Sequence, residues 1–143
     1  MAAQTQTVAG VPESSRPVSA WILPVAAAWL VPGAGHLLLK KSGRGILIFF
    51  SVVLMFLFGL FMRGTMFTAE KGADYLTTLI NYGGFVCDLA SGGLYLLASM
   101  FGYAEPDAAG AVHDYGTKFL VSAGLLNVLS MVDVWEIATG QKD

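Results

Sequence analysis

The chain has 143 residues, 55% of them hydrophobic and 13% charged, with a formal net charge of -2. That composition is too apolar for an ordinary soluble domain, and the length holds one domain only. No group of cations is larger than Lys40, Lys41 and Arg44, which argues against a nucleic-acid-binding surface, and the small net charge argues against a strongly acidic ligand.

Residues 1–17 are rich in Ala, Gln, Thr, Ser and Gly without an apolar period, the pattern of a disordered tail. An apolar run over 21–31 is long enough for a signal peptide core, but only Arg16 precedes it and no A-x-A site follows, which argues against cleavage. The first apolar segment, 18–39, is uncharged and contains Pro24 and the Pro32-Gly33 pair. The residue before a proline is pushed away from helical geometry, so the regular part is expected to stop near Val31. Residues 18–31 would then rise only about 21 Å, short of a hydrocarbon core of about 30 Å. A kinked, tilted or partly re-entrant first helix is predicted.

A hairpin turn follows, carried by Pro32, Gly33, Gly35, His36, Lys40, Lys41, Arg44 and Gly45. A helix-breaking Pro-Gly, three cations and a glycine hinge suit a reversal at lipid headgroups. The second segment, 45–62, is the clearest span, uncharged and apolar on every face, with Arg63 placed to snorkel at its end. Polar residues over 63–74 mark a loop. The third segment, 75–103, carries one charge, Asp88, and its small or polar residues Gly84, Cys87, Asp88, Ser91, Gly92, Tyr95 and Ser99 recur at helical spacing. Cys87, the single cysteine, reads as a packing residue. A polar loop through Glu105, Pro106, His113 and Asp114 leads to the fourth segment, 118–138, with Asn127 and Ser130 on one side. Gly140 and Lys142 resemble a helix stop, leaving 140–143 as a tail.

The expected fold is therefore all-α, an integral membrane helical bundle over 18–139 with four hydrophobic segments forming two successive hairpins. Trp21, Trp29, Tyr103, Tyr115 and Trp135 lie near segment ends, as an aromatic belt would. With four crossings the cations divide four against four, and the dense Lys40, Lys41, Arg44 cluster places the first turn in the cytoplasm and both termini outside.

Two resemblances add to this reading. Pro32, Gly33, Gly35, His36, Arg44 and Gly45 resemble the turn of the two-transmembrane-helix domain family, over about the first two helices. Together with a PGxGH-type turn, Tyr115-Gly116-Thr117, Gly124-Leu125-Leu126-Asn127, Asp133 and Gly140 resemble an uncharacterised family of small acidobacterial membrane proteins. That likeness covers most of the chain. It implies a multi-pass membrane protein of unknown role and carries over no catalytic residue; the expected location is the bacterial cytoplasmic membrane.

No nucleophile elbow, Walker loop, Cys-x-x-Cys or His-Glu-x-x-His motif is present. His113-Asp114 resembles the dipeptide of metal-dependent phosphohydrolases but lacks their further histidines and aspartates. No catalytic, cofactor or metal site is predicted. His36 is read as a hydrogen-bonded turn residue that serves carbonyls freed by the Pro32 break. Asp88 is costly inside a span, at least about 2.5 kcal/mol when ionised. It is read either as a hydrogen-bonded link from the third helix to the fourth, or as a proton or cation site with Asn127 and Ser130 as co-ligands. Gly84, Ser91 and Gly92 offer a close-packing face for another helix or subunit.

The expected role is a non-catalytic accessory, assembly or scaffolding component whose partners are the lipid bilayer and other membrane subunits or itself, with no nucleic acid. The alternative is a small oligomeric transporter or channel using Asp88. A membrane enzyme built on His36 with Asp133 or Glu136 is a third reading, one that fails if those groups lie at opposite ends of the bundle.

Overall fold

A computed structural model of the protein describes residues 17–103 and 111–142. Its regular elements are all helices: α1 Ser19–Leu30, α2 Ala34–Leu38, α3 Ser42–Phe61, α4 Tyr75–Ala90, α5 Gly93–Met100 and α6 Ala111–Thr139. Two are long and apolar enough to cross a membrane, α3 with 20 residues and α6 with 29. At 1.5 Å per residue they rise about 30 and about 43 Å.

The centre is the antiparallel pair α3 and α6. Val52 and Phe56 of α3 pack against Leu120 and Ala123 of α6, and Gly59 and Gly64 bring the α3 end directly onto Gly116 and Leu120. Small residues at such crossings let backbones approach where lipid supplies no hydrophobic drive. The outer face of α3, including Leu47, Phe50, Leu54 and Phe61, is exposed, as expected for an apolar span.

α1 stops at Leu30 because Val31 is extended, with φ -129° and ψ 112°, the geometry that Pro32 imposes on its predecessor. Gly33 then takes φ 81°, and the five-residue α2 folds back along α1. Gly35 lies against the Pro24 carbonyl, Ala28 and Val134. The kinked first segment was legible in this respect. Its chain turns back at Pro32-Gly33, so α2 and the Lys40-Lys41 turn sit beside the C-terminal end of α6.

The third segment departs from expectation. It is not one helix over 75–103 but α4 and α5, bent by 103° at Ser91-Gly92. Gly92 has φ 62° and ψ -120°, a conformation open in practice to glycine alone. Beyond the bend α5 runs beside α3, with the Tyr103 hydroxyl donating to the Gly64 carbonyl at 2.9 Å. Phe67, just past α3, meets α4 at Gly84 and Asp88. The start and finish of the segment thus both lie toward the C-terminal end of α3. Where four crossings in two hairpins were expected, two helices are long and apolar enough to cross a membrane, or up to three if the bent pair is one span.

The fourth segment begins earlier than the expected residue 118, since α6 starts at Ala111. It ends as anticipated: Gly140 has φ 80°, its N–H reaches the Ile137 carbonyl and Gln141 reaches Glu136, a glycine-terminated helix stop. The expected tail over 1–17, apart from Pro17, and the loop over 104–110 lie outside the described residues.

Candidate functional site

Two helix breaks face each other across the middle of the molecule. A helix end leaves carbonyls without intrahelical partners, and α1 and α4 both end here. The Trp29 indole N–H donates to the Leu89 carbonyl at 3.1 Å. Asn127, midway along α6, donates through Nδ2 to the Ala90 carbonyl at 2.9 Å and to the Trp29 carbonyl at 3.5 Å. Gly92 and Gly93 sit so close to the Trp29 and Leu30 carbonyls that a Cβ on either would overlap them. Trp29 therefore belongs to this junction rather than to an aromatic belt.

Ser91, Asn127, Ser130 and Asp88 are all buried here. The Ser91 and Ser130 hydroxyls, Asn127 Oδ1 and Asp88 Oδ1 have no hydrogen-bond partner among the described residues. Asp88 uses its other oxygen, Oδ2, to accept the Phe67 N–H at 2.6 Å. Its bond therefore goes to the chain leaving α3, not to α6 as expected, and Asn127 is committed to the helix breaks. Gly84, one turn before Asp88, provides the space in which the Phe67 ring lies. Cys87 packs its backbone on Gly124, an intimate α4–α6 contact, whereas Gly84 and Gly92 of the expected packing face meet Phe67 and Trp29 instead.

A second polar group forms where α2 and the end of α6 meet. Fully buried His36 donates from Nε2 to Asp133 Oδ2 at 2.8 Å. Arg44 approaches the same oxygen at 4.0 Å. Lys142 binds Asp133 Oδ1 and lies 3.7 Å from Glu136. That hydrogen bond to Asp133 holds the Lys142 ammonium above its ordinary range. His36 is thus a structural hydrogen-bonding residue, but its partner is a carboxylate from α6 rather than carbonyls of its own turn. The geometric objection to pairing His36 with Asp133 does not apply, since the two are in contact. Among the described residues, no group of three His, Cys, Asp or Glu side chains is placed to hold a metal ion.

With this geometry in view, a family model described as a family of unknown function, DUF6677, matches residues 23–143. The chain belongs to DUF6677. The match takes in both helix breaks and the His36–Asp133 pair. No curated protein and no solved structure matches the chain, so membership of DUF6677 brings no activity with it.

One structural residue of this DUF6677 chain escaped sequence reading. His113, expected in a polar loop, lies in the first turn of α6 and holds the turn after α3. Its Nδ1–H donates to the Arg63 carbonyl at 2.8 Å, and Nε2 accepts the Thr65 hydroxyl at 2.9 Å. Thr117 Oγ1 accepts the Thr65 N–H at 2.9 Å. The only available signal was helical spacing from His113 to Thr117, outweighed by the polar composition around it.

Proposed function

We propose that the protein is a non-catalytic accessory or scaffolding component of the bacterial cytoplasmic membrane, acting by association with other membrane subunits. One observation carries this reading: four polar side chains of the bundle, Trp29, His36, Asp88 and Asn127, hold helix breaks and turns. Asn127 and Trp29 serve the freed carbonyls of α1 and α4, Asp88 serves Phe67, and His36 ties α2 to Asp133. Such bonds hold an unusual backbone in shape within lipid and make the chain a rigid shaped surface. Purification in mild detergent with crosslinking in membranes tests it. A defined higher-order complex is the expected result; an isolated monomer with no recovered partner counts against it.

The same contacts support a membrane arrangement in which α3 and α6 cross while α1–α2 and α4–α5 enter from opposite faces and meet at mid-depth. Among the described residues, Lys40, Lys41, Arg44 and Lys142 then lie at one end, and Arg63, Lys71 and Lys118 at the other, four cations against three. Cytoplasmic segments hold the excess of cations, so the C-terminus is cytoplasmic along with the first turn. This reverses the terminal orientation expected from four crossings. A C-terminal fusion to a reporter active only in the cytoplasm should be active; activity of a periplasm-dependent reporter instead would refute it.

A second reading has one specific observation in its favour. The unpartnered oxygens of Asp88, Ser91, Asn127 and Ser130 are buried close to where the breaks meet, and broken helices with unwound carbonyls form ion sites in transporters. Proton or small-cation flux through reconstituted protein tests it. Asp88→Asn should abolish that flux while the fold survives; absent or unchanged flux removes the reading.

A further inference from the structure

We propose that the flank of α3 between the two helix breaks is a binding site for one anionic phospholipid, its acyl chain in an apolar groove and its phosphate at Lys40 and Lys41. The groove exists because both broken segments leave this flank uncovered. Its deeper part is a cavity of about 490 Å³ whose walls include Pro32, Phe49, Val53, Leu94 and Leu97. A second cavity, of about 220 Å³, adjoins it through Val31, Pro32 and Phe49 and continues to Leu37, Gly45 and Ile46. No polar side chain lines either one. From Val53 to Gly45 the path follows α3 for roughly 12 Å, from mid-helix to its N-terminus. An unfilled crevice there would forfeit dispersion contacts along its walls, and a hydrocarbon chain is the material that surrounds it.

Charge at the mouth selects the headgroup. Leu37 is within one turn of Lys40 and Lys41, and Gly45 directly follows Arg44. Carboxylates at this end are already engaged: Asp133 by His36, Arg44 and Lys142, and Glu136 by Lys142. Among the described residues none pairs with Lys40 or Lys41. Lys40 is exposed and held at φ 60°, in the tight turn that brings the chain onto α3. The N-terminus of α3 has no side-chain cap, and Gly43 has open space beside it. Uncapped amides at a helix start favour phosphate, and a juxtamembrane lysine is attracted to anionic lipid. Groove, lysine pair and open helix start thus point to a lipid whose head is negative. This site does not depend on whether the chain recruits a protein subunit.

The test uses the full chain in nanodiscs of phosphatidylcholine doped with a small mole fraction of phosphatidylglycerol, read by thermal unfolding and by lipid retained in native mass spectrometry. Phosphatidylglycerol should raise the Tm and be retained preferentially. Each lysine removed in Lys40→Ala and Lys41→Ala should weaken retention about fivefold, and Lys→Arg at both positions should restore it. Leu97→Trp, placed to fill the deeper groove from an exposed position, should reduce retention while the lysines remain. Equal effects of the two lipids would overturn the proposal, as would preference that survives the double alanine variant. Full reproduction of the Tm shift by soluble glycerol phosphate would likewise overturn it, by showing a headgroup site without a chain.

Discussion

Gly92→Ala should be the most damaging single-methyl change at the junction. Two costs combine at this position. With φ 62° and ψ -120°, an alanine there is in a sparsely populated region at a cost of order 1–3 kcal/mol. Its Cβ would also overlap the Trp29 carbonyl oxygen, a backbone atom that cannot swing aside. The end of α1 must then retreat, stretching the Trp29–Leu89 and Asn127–Ala90 bonds, each worth about 1 kcal/mol net. The expected loss is about 3–5 kcal/mol by these magnitudes. Two glycines separate the contributions. Gly102 has φ 62° but open space where a Cβ would lie, so Gly102→Ala should cost only about 1–2 kcal/mol. Gly83 is within α4 and also unobstructed, so Gly83→Ala should stabilise by roughly 0.5–1 kcal/mol. Denaturant unfolding in detergent micelles, followed by tryptophan fluorescence, reads all three. If Gly92→Ala costs no more than Gly102→Ala, the two breaks do not press on each other and the reasoning is wrong.

Asn127→Leu should cost about 1–3 kcal/mol by leaving the half-buried Ala90 carbonyl without its donor, and infrared absorption of that labelled carbonyl should shift toward the unbonded frequency; an unchanged band would contradict the assignment. His36→Leu should destabilise by about 1.5–3 kcal/mol through loss of a charge-assisted bond, with His36→Gln recovering part of it, so equal stability of all three proteins would show the pair to be idle. At the start of α4, Asp74 accepts the Thr77 N–H at 2.7 Å, and hydrogen bonding from the Thr77 side chain together with that N–H holds its carboxyl below the usual range. A lowered folded value means its stabilisation is present above the unfolded value of about 3.9 and is lost as pH falls through the folded one. Amide exchange at the beginning of α4 should therefore accelerate in acid relative to α3, and Asp74→Asn, a cap that does not titrate, should remove that dependence; an identical pH profile in both proteins would refute it.

The two breaks differ in how visible they were. Proline at 32 announces the first because its ring acts locally, on the residue before it. Glycine at 92 announces nothing, because a glycine in an apolar run is compatible with a continuous helix at a cost of only about 1 kcal/mol. What sets its conformation is a neighbour far away in sequence, the carbonyl end of α1. Asp88 and His36 show the same divide. Sequence alone marked both as side chains that need partners, since an unpaired polar group in lipid is expensive. It did not identify the partners, a loop N–H at Phe67 and a carboxylate 97 positions away, because those follow from where the chain turns back.

Each broken segment also explains the other. A short helix ending inside a bilayer exposes carbonyls that neither lipid nor its own turns can bond. In the proposed membrane arrangement, α1 alone would end that way at Leu30 and α4 at Ala90. Brought tip to tip, Trp29 of the first donates to Leu89 of the second, and Asn127 of α6 bridges Ala90 and Trp29. The glycines at 92 and 93 are what allow the approach. Neither break is then a local accident: each offsets the backbone cost of the other, so the first hairpin and the bent pair should form and fail together. This coupling puts the molecule's most constrained point at the middle of α6 rather than at the cationic turn, whose charges lie at the exposed end of the same hairpin.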